Sequence, residues 1–444
     1  MRSVMTELNP RSKQLDFSGV PGSVILTVAL PLLVLFLYLL SNDDYHLVQV
    51  GLNLNAVKDI IQRQIIENWR DCFFNCKCWT VYLAWFFGLA VMDLITPGKW
   101  IQGVQLRDGS KLWYLINGKE LSLALITILV SRIYYIGDFN LPELAFLYEN
   151  TLPLIATTWE FSILLATLCY IGSFIPLIRK NGKGTKERIL AVGGNSGNAI
   201  FDWFIGRELN PRVGYWDIKL FCELRPGMLL WFLLNVAYAQ KQYLKLGYIT
   251  NSLLMVNAFQ FIYIFDGVLN EEGCLTMIDI TTDGFGFMLA FGDLCWVPMT
   301  YSLQARYLSL IEFNLPLWAV IAITLIMISG FWIFKSANNQ KSYFRQGKLP
   351  NMKSIQTESG TKLLVDGWWG LAQHINYFGD ILIALSWCLT TGFNTPLTYF
   401  YVSYFTCLLL DRQKRDEAKC SKKYGKYWKE YTEHVPWKIA PFIY

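Results

Sequence analysis

The chain has 444 residues, of which 53% are hydrophobic, 16% aromatic and only 16% charged, with a mean hydropathy of +0.30. This leaves too little polar surface to wrap an ordinary soluble domain. The net charge is only +5, and no nucleic-acid partner is expected; ten scattered cysteines exclude a disulfide framework, and His46, His374 and His434 are too dispersed for a haem pair or a His-rich metal centre, so no metal is expected either.

Residues 1–19 are polar and show no cleavable signal, and the apolar run 22–40 is long enough to stay as an uncleaved first span. Further runs fall at 78–95, 121–136, 152–178, 227–244, 251–270, 285–303, 315–334 and, as a pair, within 378–410. The expected fold is therefore an all-α polytopic membrane protein of about ten transmembrane helices. Phe393-Asn394-Thr395-Pro396 divides the last pair into segments short for full spans, which leaves a re-entrant hairpin open. After the first span, Cys72, Cys76 and Cys78 cluster without a second Cys or His pair at zinc spacing and read as packing. Residues 103–114 alternate apolar and polar around Asp108-Gly109, which predicts a hairpin.

The basic run from Arg179 to Arg188 marks a cytosolic face. Counting spans from it puts the N-terminus, 96–120, 179–226, 271–284, 335–376 and the C-terminal tail on that face, while Lys58, Arg63, Arg70 and Lys77 of the 41–77 loop fall on the other. No repeat or long linker divides the chain, so one membrane domain is expected over 1–444, with N-terminal helices and a first polar loop in 1–226 and the pockets in 227–444.

Four polar stretches could carry chemistry. GNAIFDWFIGRELNPR (197–212) packs Asp202, Arg207, Glu208 and Arg212 between apolar helices, as a structural re-entry or as part of a site; no strand precedes its glycines, which rules out a dinucleotide fingerprint. Residues 263–293 place Asp266, Glu271, Glu272, Asp279, Asp283 and Asp293 in or beside apolar helices, where acids serve ion transport or line a pocket. Tyr263 sits one turn before Asp266, and its phenol is either packing or a proton donor. The third stretch, 335–380, sets Lys341 and Arg345 at helical spacing for a phosphate, Trp368 and Trp369 as flat faces for a ring, and Asn376 and Asp380 as polar edges; an interfacial aromatic belt is the alternative. In the fourth, LLLDRQKRDEAKCSKKYGKYW (408–428), Arg412 and Asp416 share helical spacing, and the interleaved Tyr and Trp exceed what a stop-transfer patch needs.

At these residues the chain resembles the membrane-bound sterol reductase family, which includes sterol C-14, C-7 and C-24(28) reductases and the reductase-like part of lamin B receptor. Gly197, Phe201, Asp202, Gly206, Leu209, Asn210, Pro211 and Arg212 match its first signature, and Arg412, Arg415, Asp416, Cys420, Lys423, Tyr424 and Gly425 match its second. Asp411 stands where the family usually has His. GVQLRDGSKL (103–112), FDGVLNEEG (265–273), DITTDGFGFMLAFGD (279–293) and SANNQKSYFRQGK (336–348) are most similar to the fungal C-14-reducing branch.

The resemblance implies NADPH as cofactor, an endoplasmic reticulum membrane location and a place in ergosterol synthesis, beside other enzymes of that route. The implied reaction reduces the C14=C15 bond of a sterol 8,14-diene, by protonation followed by hydride transfer. Lys341 and Arg345 would meet the cofactor phosphates. Leu364, Trp369, Asn376, Tyr377, Arg412, Asp416, Cys420, Ser421, Lys422, Lys423, Tyr424 and Tyr431 would complete its pocket. Tyr263, Asp416 and Tyr431 are the expected proton-delivery residues. Reduction at C-24(28) or C-7, a non-catalytic sterol-binding scaffold and a proton-coupled transporter are the alternatives.

Overall fold

The protein is described by a computed structural model covering residues 7–13, 15–41, 54–178, 185–358 and 360–444. Residues 179–184 of the basic marker and 42–53 of the loop after the first span lie outside the described residues. The described chain is mostly helical, and six helices are long and apolar enough to cross a membrane: 19–40, 69–95, 151–172, 218–246, 251–269 and 317–345. This is a multi-pass membrane protein. The chain divides into two compact units, one of residues 1–249 and 260–312, the other of 250–259 and 313–444.

In the first unit, α1 (Gly19–Leu40) and α2 (Cys76–Ile95) show apolar side chains such as Ile25, Leu32, Phe87 and Ile95 on their outer faces, where lipid solvates them. The predicted hairpin forms as β1 (Lys99–Gln105) and β2 (Lys111–Ile116), antiparallel, with Trp100 opposite Leu115. Asp108 Oδ1 accepts from Ser110 N at 3.0 Å in its turn. The predicted run at 121–136 is a helix, α3 (Gly118–Ile136), but Lys119, Glu120 and Arg132 keep it out of the span-like set. Next come α4 (Thr151–Gly172), α5 (Ala199–Ile205), α6 (Ile218–Leu224), α7 (Pro226–Leu246) and α8 (Asn251–Leu269), whose first residues belong to the second unit.

The predicted span 285–303 is helical over 287–301 but distorted. Its helix at Phe287–Phe291 passes through a π turn at Gly292–Trp296 into Val297–Tyr301, with Pro298 unable to donate a backbone bond. Aromatic rings fill the core: Phe287 stacks on Trp203 at 5.2 Å and on Phe291 at 5.4 Å.

In the second unit, α9 (Leu317–Arg345) runs well past the predicted end at 334, so Lys341 and Arg345 ride on its last turns. A hairpin of β3 (Ser354–Gln356) and β4 (Lys362–Leu364) follows, then α10 (Ile375–Leu389). Helices α9 and α10 pack backbone to backbone where Gly330 faces Gly379: a Cβ on Gly379 would sit 2.7 Å from the Gly330 carbonyl oxygen. The predicted break at 393–396 is present, closed by a 2.6 Å bond between the Thr391 and Thr398 hydroxyls. Beyond it α11 (Phe400–Tyr424) carries the whole charged block as one helix, which ends at Gly425 with φ +52, and α12 (Lys426–His434) packs back. Ile355, Trp428, Tyr431 and Val435 form the small core between hairpin and α12.

Candidate functional site

The first signature folds into a network of caps and ion pairs, although Arg212 Nη2 is buried without a hydrogen-bond partner among the described residues. Asn198 caps α5 by accepting from Ile200 N and Phe201 N, both at 3.1 Å, and Asp202 one turn later accepts from Ser196 N at 2.8 Å and Gly197 N at 3.2 Å. Gly206, at φ +95, lies so close to the 284–286 backbone that a Cβ would stand 2.4 Å from Gly284 C. Glu208 pairs with Arg188 at 2.6 Å; burial pushes its carboxyl upward, against the pull of Arg188. Arg207 donates to Ser173 O at 2.9 Å, and Arg212 pairs with Asp217 at 2.8 Å with its guanidinium 4.4 Å from the centre of the Tyr114 ring.

The acids after Tyr263 divide: Glu271 is engaged, while Asp293 Oδ2 is buried without a hydrogen-bond partner among the described residues. Glu271, 1% exposed, lies 2.5 Å from Arg225 and accepts from Gly118 N at 2.8 Å, while Arg225 also meets Asp93 at 3.0 Å and Asn117 at 2.8 Å. The buried Lys219 ammonium donates to the carbonyls of Asp279, Ile280 and Asp283. A buried acid locked to an arginine is a poor proton carrier, which weakens the transporter reading at Glu271. Tyr263 is half-buried in the first unit, its ring 6.3 Å from Trp231.

The second unit brings together residues far apart in the chain. Lys341 Nζ lies 3.6 Å over the Trp369 ring, and Trp369 Nε1 donates to Ala337 O at 2.8 Å, so the indole is held by its edge while one face meets a cation. Asn376 Nδ2 reaches Asn338 Oδ1 at 3.3 Å, while Asn376 Oδ1 is buried with no hydrogen-bond partner among the described residues. Such an orphaned acceptor needs an N–H or O–H from something that fills the pocket. Tyr377 stacks on His374 at 4.8 Å and 13°, and His374 Nε2 lies 3.7 Å from Asp416 Oδ2. Cys420 Sγ is 3.8 Å from the same carboxylate oxygen. Burial and then Asp416 push the Cys420 thiol up to about 11, with Lys341 opposing. Tyr431, buried and stacked on Trp428 at 4.9 Å, has its phenol raised above its usual range by burial, then by Cys420 and Asp416. It therefore stays a donor.

Lys341, Trp369, Asn376, Tyr377, Asp416, Cys420 and Tyr431 thus fall in one region, with Leu364 buried and Arg412 and Tyr424 half-buried. Arg345, Ser421, Lys422 and Lys423 lie on exposed faces of α9 and α11. Asp411 pairs with Arg415 at 2.9 Å on the outer surface, the side chains 65% and 53% exposed. His374 escaped the sequence reading because histidines were weighed only as metal or haem partners; the signal was its place one helical turn before Tyr377. Asn338 was missed as well, since nothing near it in sequence suggested Asn376 as partner.

The chain matches the family model for ergosterol biosynthesis ERG4/ERG24 over residues 11–444. It is 56% identical over 446 residues to Delta(14)-sterol reductase ERG24 of Candida albicans, covering 99% of each chain. It is 55% identical over 449 residues to Delta(14)-sterol reductase ERG24 of Saccharomyces cerevisiae, covering 99% of this chain and all of that one. To Delta(14)-sterol reductase LBR of Gallus gallus it is 41% identical over 435 residues, which is 96% of this chain and 64% of the relative.

Proposed function

The chain belongs to the ergosterol biosynthesis ERG4/ERG24 family, and on that premise we propose that it is an NADPH-dependent delta(14)-sterol reductase of the endoplasmic reticulum membrane. It reduces the C14=C15 bond of a sterol 8,14-diene in ergosterol synthesis. All 444 residues act as one reductase domain of about ten spans, with both termini cytosolic and other enzymes of the route as neighbours in the bilayer. The observation that carries the reading is the convergence of Lys341, Trp369, the orphaned Asn376 oxygen and Asp416 in one unit.

This donor set suits a phosphorylated dinucleotide. Lys341, Arg345, Arg412, Lys422 and Lys423 are cations for its phosphates, Leu364, Trp369 and Tyr377 are apolar faces for its rings, and Asn376 Oδ1 is an acceptor for an amide N–H. Cys420, Ser421, Tyr424 and Tyr431 close the wall. When bound there, NADPH is the source of the hydride.

A conjugated diene with no electron-withdrawing group is too electron-rich for direct hydride attack, so a proton must reach C-15 first, leaving a tertiary allylic cation at C-14. Asp416 and Tyr431, in the second unit, hold that proton, and Tyr263, in the first unit, is a further proton-delivery residue of this reading. Tyr431 can only donate, because its raised phenol stays protonated. Carboxylate charge in a dry pocket stabilises the cation.

Membranes containing the chain, given NADPH and a panel of sterol dienes, should lose the 8,14-diene by mass spectrometry. Tight sterol binding without turnover would make the protein a scaffold. Loss of a C-7 or C-24(28) olefin in its place would move the reaction along the sterol.

A further inference from the structure

The turn that joins β4 to α10 carries a buried histidine that the proposed mechanism does not use. His374 is 8% exposed, and three restraints fix it. Its ring lies nearly parallel to Tyr377 at 4.8 Å. Its backbone N–H donates to Lys438 O at 2.8 Å, and the preceding Gln373 donates from its backbone to Trp437 O and from its side chain to Val435 O, each at 2.9 Å. The chain behind the ring is thus tied to the C-terminal segment, and Nε2 faces Asp416 Oδ2 at 3.7 Å. A made N–H···O bond is about 1 Å shorter, so the pair is poised rather than locked.

From the reductase reading of this pocket, we propose that His374 is a positioning residue that orients the Asp416 carboxyl without fixing its charge. The groups facing the ring are Asp416, Glu417 and Arg412 from α11 and Lys341 from α9, two acids against two bases. Burial outweighs them and draws the ring down to about 4, so the imidazole is neutral near pH 7. A charged histidine would hold Asp416 as carboxylate and prevent it from carrying a proton. A neutral ring offers one N–H and lets Asp416 pass between its two states. The protein thereby keeps its proton-bearing carboxyl aimed while leaving it able to reload.

Two variants of the full chain in membranes test this. His374→Phe keeps the flat ring on Tyr377 and removes the N–H; His374→Gln keeps an N–H donor near Nε2. His374→Phe should lower kcat about tenfold or more and move the acid limb of the kcat–pH profile, with the sterol KM and the NADPH Kd, read by nicotinamide fluorescence, within about twofold. His374→Gln should recover most of the rate. A purely structural role would instead weaken NADPH binding and lower the melting temperature in both variants, with the pH limb unmoved, and would overturn the proposal.

A second readout does not need turnover. With its neighbour gone, Asp416 should close on the Cys420 thiol and slow maleimide labelling of Cys420, read by peptide mass spectrometry, about threefold or more. An unchanged labelling rate together with wild-type kcat in His374→Phe would sink the proposal. A wild-type chain that fails to turn over the 8,14-diene would sink the reductase reading alone, because Cys420 labelling still judges His374.

Discussion

In residues 197–212 each acidic side chain closes on a near neighbour: Asp202 on the Ser196 and Gly197 amides at 2.8 and 3.2 Å, Glu208 on Arg188 at 2.6 Å. In residues 409–425 the acids divide. Asp411 and Glu417 are paired at 2.9 and 2.8 Å, whereas Asp416 meets His374 and a thiol only at 3.7 and 3.8 Å. The second stretch is the more charged, with nine Asp, Glu, Lys or Arg residues against four, but charge density alone does not set the roles apart. What separates them is how much hydrogen-bonding capacity is left unspent once the fold has formed. A satisfied buried network is costly to break and does little else, while a carboxylate with loose contacts can move and exchange a proton.

The comparison breaks most visibly at Asp416. Asp416→Asn should leave folded yield and melting temperature near those of the parent and lower the NADPH-dependent loss of 8,14-diene by about 10²-fold or more. Full activity at normal expression would remove Asp416 from proton delivery. Arg212→Ala should do the opposite. It leaves the buried Asp217 carboxylate without the partner at 2.8 Å, a change that costs about 3–5 kcal/mol at buried pairs. The folded fraction in detergent should fall, with activity per folded molecule nearly kept. An Arg212→Ala protein that is stable but inactive would place the first signature in the site after all.

Much of this contrast was visible in the letters, but not its direction. The spans at 22–40, 152–178, 227–244 and 251–270 declared themselves because a long apolar run has few alternatives to a membrane helix. The hairpin at 103–114 followed from alternation around Asp108-Gly109. The π turn inside 285–303 was hidden, since Gly292 and Pro298 are tolerated in many regular helices and only packing decides whether the ladder widens. Around the candidate site, helical spacing brought Lys341 and Arg345 onto one helix but said nothing of Trp369 lying 3.6 Å from Lys341, a contact made across the turn from α9 back to α10. His374 was opaque for the same reason. Its partner Asp416 is 42 residues on, and the meeting depends on the C-terminal segment that clamps its backbone.

That clamp gives a smaller effect. Glu417 accepts from Lys438 at 2.8 Å, and this bond first, with help from Gln413, draws its carboxyl below the ordinary value. A depressed carboxylate contributes stability above its unfolded value of about 4.3, and that contribution disappears as pH falls through the lower folded value. Both side chains are a third exposed, so solvent screens the pair and the effect is modest. Amide protection factors at residues 435–444 should therefore fall below about pH 4 and hold steady from 5 to 8. Lys438→Met should abolish that acid step; an unchanged step would assign it to another carboxylate.

Asp411 should matter least. It departs from the family pattern inside a matched signature, yet it lies on the outer face of α11 in a pair with Arg415 that is more than half exposed. Exposed pairs at this spacing contribute about 0.3–0.5 kcal/mol, and nothing joins Asp411 to the Asp416 carboxyl a turn and a half further on. Asp411→His, which restores the family letter, should leave turnover and NADPH affinity within about twofold and melting within about 1 °C. A larger gain would mean that the outer face of α11 takes part in binding, and the line drawn between spent and unspent polar groups would have to include residues whose charge is answered only at the surface.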